Sequence, residues 1–121
     1  MATNANWTVV FDDKMIIKQS GDGAGSYIIN DDNFWNQSKF SNIWAIQHGT
    51  SVTSDEVEYR DTTDNSSYAD ANLGDIQDFI DKWDAAHLSQ LQSDWDNDNV
   101  EDETEAQKID RLGARPTSYS S

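Results

Sequence analysis

The chain has no cysteine, a single proline, only eight Lys and Arg among 121 residues, and no long apolar run. Without cysteine there is no disulfide framework, no thiolate nucleophile and no zinc–thiolate centre, and composition says nothing of redox compartment. The apolar runs fall far short of the ~20 residues that span a bilayer. The opening MATNANWTVVF lacks the basic start and apolar stretch of a secretion signal, so the expectation is a soluble product with no membrane association. Set against 23 acids, the few bases leave a net charge of −15. Nucleic-acid affinity comes from Lys and Arg displacing phosphate counterions, so direct nucleic-acid binding is not expected, and anionic lipid is repelled as well. The charge is uneven: residues 1–60 hold eight acids and four bases, residues 61–121 fifteen acids and four bases.

Aliphatic residues are also scarce. Leu, Ile, Val and Phe total 22, just under the ~20% below which a highly charged chain leans towards disorder. Five Trp and four Tyr act against this, since each large aromatic can bury about 150–250 Å². The reading is one folded, thinly cored domain over residues 1–113 with an exposed peptide at 114–121. A domain with so little margin gains from docking on a partner or on a copy of itself.

Residues 6–18, NWTVVFDDKMIIK, read as a hairpin turning at Asp12, Asp13 and Lys14, with Trp7, Val9 and Phe11 on one face. A Gly-rich loop at 20–26 leads to an extended run at Tyr27, Ile28 and Ile29. Residues 31–40 place Phe34, Trp35 and Phe40 without a clean period, in a short helix or a loop whose aromatics plug the core. A second hairpin follows: a strand at 42–48, a turn at 49–54, and a strand at 55–60 where Val57 and Tyr59 alternate with acids, which implies one wet face. From residue 75 the period turns helical. Ile76, Phe79, Ile80, Trp83, His87 and Leu91 form an apolar stripe opposite Asp75, Asp78, Asp81 and Asp84, with Asn72 as the expected N-cap. A short helix through Ala106, Ile109 and Leu112 stops at Gly113 and Pro116. Strands first and helices afterwards predict an α+β fold: an antiparallel sheet of four to five strands in two hairpins, followed by an amphipathic helix and a short C-terminal helix. Trp7, Trp35, Trp44 and Trp83 fit core positions.

Between the two helices lies DWDNDNVEDETE, residues 94–105, with seven carboxylates and no base. Asp94, Asp96, Asp98, Asp102 and Glu105 fall at positions 1, 3, 5, 9 and 12 of a calcium loop, and Val100 at position 7 would supply a backbone carbonyl. The match is broken by Asn99 at the Gly position and Glu101 at the apolar one, and no partner loop exists. The plainer reading is a solvated acidic linker, with a Ca²⁺-binding module as the alternative. Trp95 sits inside this segment, where it either anchors the loop or meets a partner.

No reaction signature stands out. His48 and His87 sit in no metal-binding spacing, no Ser lies in a G-x-S-x-G elbow, and GDGAGS lacks the G-K-[ST] ending of a phosphate loop. Carboxylates are everywhere, and none is marked by an apolar surround that would tune it for acid–base work. The expectation is a protein without enzymatic activity and without a cofactor other than a cation at the acidic loop. A further alternative is an acidic inhibitor that presents the Asp75, Asp78, Asp81 and Asp84 helix edge and the acidic loop as false phosphates to a host nucleic-acid-binding protein.

Two segments, WAIQHGTSVTSDEVEYRD and LGDIQDFIDKWDAAH, a Trp-bearing hairpin and an Asp-rich helix with a Trp, together resemble small uncharacterised proteins encoded by tailed bacteriophages, especially those of marine bacteria. The likeness spans about residues 42–90 and carries over no functional residue. It implies a small virion-associated component of decoration, collar, tail or fibre type, located in the virion and, during assembly, in the host cytoplasm. Other virion proteins or copies of the chain itself would be the partners. In a homo-oligomer, Arg111, Arg115 and Tyr119 of one copy are expected to reach an acidic surface of the next.

Overall fold

The fold is described from a computed structural model covering residues 6–19, 23–49 and 55–120. Residues Trp7–Val10 (β1) and Met15–Lys18 (β2) form the first hairpin, closed by a turn in which Lys14 adopts a φ of 53° and donates its N–H to the Phe11 carbonyl. Residues Gly25–Ile28 (β3) pair with β2, Ile43–His48 (β4) with the far side of β1, and Glu56–Tyr59 (β5) with β4. The result is a five-stranded antiparallel sheet in the order β3-β2-β1-β4-β5. The turn read at 49–54 and the start of the Gly-rich loop lie largely outside the described residues.

Residues directly opposite one another in antiparallel strands share a face. One cross-strand row therefore runs Val57, Ile46, Val9, Ile16 and Tyr27, and its first four side chains are wholly buried. Over this inner face lies the long helix Gln77–Asn97 (α3), presenting Phe79, Ile80 and Trp83 at 0 to 1% exposure. Residues 31–40 become a one-turn helix Asp32–Trp35 (α1) and a 3-10 turn Ser38–Phe40. Their rings join Phe11 and Phe79 in an edge-on cluster, Phe34 lying 5.3 Å from Phe79 and Phe11 5.3 Å from Trp35. Such edge-to-face pairs stabilise beyond their burial alone. Asp31 fastens α1 to α3: its side chain accepts from the Phe34 N–H and pairs with Lys82 at 2.6 Å.

The α+β architecture is the expected one, and four details differ. Asn72 does not cap α3; it ends a short helix Tyr68–Ala71 (α2) with a φ of 59°, and α3 starts at Gln77, whose N–H is taken by the Asp75 carboxylate. Trp44 is 49% exposed, because the irregularity in the β4–β5 pairing between Ile43 and Ala45 turns it out of the inner face. Asp84 is buried, so the acidic helix edge does not continue past Asp81 as an exposed row. Finally, α3 runs on through Asp94 and Asp96 to Asn97 before the acidic turn begins. None of the described helices is long and apolar enough to cross a membrane.

Candidate functional site

The acidic segment folds as a helix end, a turn and a second helix, Glu105–Leu112 (α4). Thr104 opens α4 with a capping box: its hydroxyl accepts the Gln107 N–H while the Gln107 side chain accepts the Thr104 N–H. The chain enters α4 through Asp102, whose φ of 63° makes it the left-handed residue of the turn, where a calcium loop would take that conformation at its Gly position, here Asn99. At the other end Gly113 takes φ 83° and ψ 176°, a combination open to glycine alone. Its carbonyl accepts from Trp95 Nε1 at 3.0 Å. Lys108 is buried between the helices, its ammonium 4.0 Å from the centre of the Trp95 ring and 2.8 Å from Asn99 Oδ1. Trp95 thus anchors α4 to α3 within the same chain.

The carboxylates expected to surround a cation are dispersed by this fold. Asp94 accepts from the Gln90 amide one turn earlier in α3. Asp96 receives both Nε and a terminal nitrogen of Arg115, and Asp98 pairs with Arg111 at 3.0 Å. Val100 is exposed, and its carbonyl accepts from the Glu103 N–H. Asp102 is the left-handed residue, and Glu105 stands in the first turn of α4. Among the described residues no group of three or more His, Cys, Asp or Glu is placed to hold a metal ion. Glu103, outside the calcium-loop pattern, makes a two-pronged bond to Arg111. The guanidinium of Arg111 holds the Glu103 carboxyl below its ordinary range, and that of Arg115 does the same to Asp96. Arg111 and Arg115, read as contacts to a neighbouring copy, are engaged within their own chain.

Tyr119 also turns inward. Its ring lies 4.4 Å from His87 and 5.9 Å from Trp83, and closes an aromatic box around the buried ammonium of Lys18. The same ammonium stands 5.2 Å from Trp83 and 5.9 Å from Trp7, with the Tyr119 hydroxyl at 3.4 Å. His87 stacks on Trp83 and meets the Tyr27 hydroxyl at 2.6 Å, and burial pushes the Tyr27 phenol up from its ordinary value. Sequence reasoning passed over Lys18, although the hairpin register that puts it opposite Trp7 follows from the four-residue turn. Lys108 left no such trace, because its burial depends on where α4 crosses α3.

The opposite face of the sheet differs in kind. Its two rows run Ile28, Met15, Val10, Ala45, Glu58 and Ser26, Ile17, Thr8, Gln47, Glu56. The first four of the leading row are apolar, and both carboxylates sit on β5 at one edge. Ile28 is 58% exposed, and Val10, Met15 and Ile17 are half-buried. The helices α3 and α4 lie elsewhere: α3 on the inner face and α4 against the end of α3. Comparison with protein families, with curated proteins and with solved structures finds no match for this chain.

Proposed function

We propose that the chain is a non-enzymatic structural protein that works in an assembly of copies of itself, with the outer sheet face as the contact. The observation that carries this reading is the charge-poor row of Ile28, Met15 and Val10, backed by the buried Ala45, on a molecule of net charge −15. Two such anions repel, and they approach most easily where carboxylates are not opposed. The outer face, with Glu56 and Glu58 confined to one edge, is such a place. The occupation of Arg111 and Arg115 by Glu103, Asp98 and Asp96 favours it over a contact built on these two arginines.

The contact is small. Five strands, four of four residues and β4 of six, span roughly 24 by 13 Å over the depth they share, about 300 Å² per copy, against the ~800 Å² per partner of a stable pair. A surface of this size makes a weak contact between two copies that is reinforced where many act at once, which suits a repeated particle component. With the resemblance to small proteins of tailed bacteriophages, the reading becomes a virion-associated part of decoration, collar, tail or fibre type, present in the virion and in the host cytoplasm while particles assemble. Mass spectrometry of the protein bands of purified particles tests it: recovery of the chain at many copies per particle is expected, and its absence from the particle removes the virion role.

A further inference from the structure

A second surface, separate from the sheet, lies at the helical end. A cleft of about 210 Å³ opens between the last turns of α3, the end of α4 and residues 114–116. Leu91, Trp95, Leu112 and Pro116 give it apolar walls, and Asp94 and Asp98 stand on its rim. Leu112 is 37% exposed although it ends a helix whose polar Lys108 is the buried residue. An apolar wall left open on an amphipathic helix, while a lysine takes the interior, marks a surface shaped for an outside contact.

The charge around the cleft decides what kind of contact. Residues 94–113 hold eight acids and two bases. Both bases are engaged: Lys108 lies over Trp95, and Arg111 is clamped by Glu103 and Asp98. Arg115, just beyond, is held by Asp96. Among the described residues, the Asp94 carboxylate accepts from the neutral amide of Gln90 and pairs with no Lys or Arg. A rim carboxylate without a cation, beside apolar walls, matches a Lys or Arg that lays its aliphatic stem along the wall and its charge on the carboxylate. The cleft is smaller than the ~300 Å³ at which small-molecule pockets begin, so side chains of an extended segment fit it better than a compact ligand.

We infer that this cleft binds a basic, apolar peptide segment of a partner protein, with Leu112 and Trp95 as the apolar seat and Asp94 as the charge partner. Titration calorimetry of the full chain with the capped tetrapeptide RLLR, and with RGGR and ELLE as controls, tests this. RLLR is expected to bind, RGGR at least about tenfold more weakly for want of the buried leucines, and ELLE not at all. Asp94→Asn should weaken RLLR about threefold, the effect of one surface ion pair, and Leu112→Ser about tenfold, with unchanged circular dichroism. Asp94→Asn is an exposed, isosteric change and carries the test should Leu112→Ser loosen α4. Equal binding of RLLR and RGGR would mean that only the overall field attracts the peptide, and would overturn the inference. So would unchanged affinity in Asp94→Asn, or a Leu112→Ser protein that loses self-association and keeps the peptide, which would make the cleft a contact between copies.

Discussion

The sheet half and the helical end of this molecule are held together by different physics. Around the sheet, wholly buried Val9, Ile16, Ile46 and Val57 meet Phe79, Ile80 and Trp83, and the aromatic rings of Phe11, Phe34, Trp35 and Phe40 fill the remaining space. At the helical end the fastenings are Arg111 to Glu103 and Asp98, Arg115 to Asp96, Lys108 over Trp95, and a capping box. The buried aliphatics gather under one sheet face, and the second helix is secured with charges and caps. The first region should therefore respond to lost volume, the second to lost charge.

The largest effect is expected where the core has least to spare. Trp83→Ala removes a fully buried ring that touches Trp7, Tyr27 and His87, and should cost about 3–5 kcal/mol in a denaturant melt. For a domain with only ~5–15 kcal/mol in hand, a loss below 1 kcal/mol would mean that the sheet half is not held by this ring. Gly113→Ala acts at the helical end, where nothing stands within 4 Å of the added methyl but the backbone lies in a region closed to alanine. It should cost about 1–3 kcal/mol, read as weaker protection of the α4 amides in hydrogen exchange.

Smaller and more local is Arg111→Gln. The exchange protection of α4 and of residues 98–104 should fall while that of β1, β2 and β4 stays, and equal loss in both regions would erase the contrast between them. Acid should separate them in the same way. Asp96 and Glu103 titrate below their ordinary values in the folded state because of Arg115 and Arg111. The stability they contribute is present above about pH 4, where carboxylates of the unfolded chain are already ionised, and is lost as pH falls through their folded values. Amide spectra recorded from pH 7 to 3 should show α4 detaching before the sheet residues move.

Much of this contrast was legible in the residues. Alternation in 6–18 and 55–60 and the three-to-four spacing from Ile76 to Leu91 carry the α+β order, because these periods report directly which side of an element is buried. Val57 and Trp83 sit where that logic puts them. It failed where a neighbour overrides the local pattern. Trp44 reads as core and is turned out by an irregular pairing with β5, which no single strand encodes. Asn72 reads as a cap and instead ends α2 in a left-handed turn. The acidic segment matched a ligand spacing along the chain, but spacing does not say where a helix stops, and α3 carries Asp94 and Asp96 past the expected loop start. The Thr104 and Gln107 capping box was available as T-x-x-Q and would have placed the start of α4. The cleft beside Leu112 was not available, since it exists only once α4 has folded back on α3.

The smallest change in stability is expected on the outer sheet face, where Ile17→Lys should stay within about 0.5 kcal/mol of the parent because the side chain is half-buried and no described helix packs on it. Its effect on association decides the account. Sedimentation equilibrium of the parent and Ile17→Lys proteins, at about 50 and 500 mM NaCl, compares an apolar contact between repelling anions with a contact made of ion pairs, since salt screens the repulsion in the first and the attraction in the second. Self-association of the parent that grows with salt and is abolished by Ile17→Lys is the predicted result; association that weakens with salt, or that Ile17→Lys leaves intact, would contradict it.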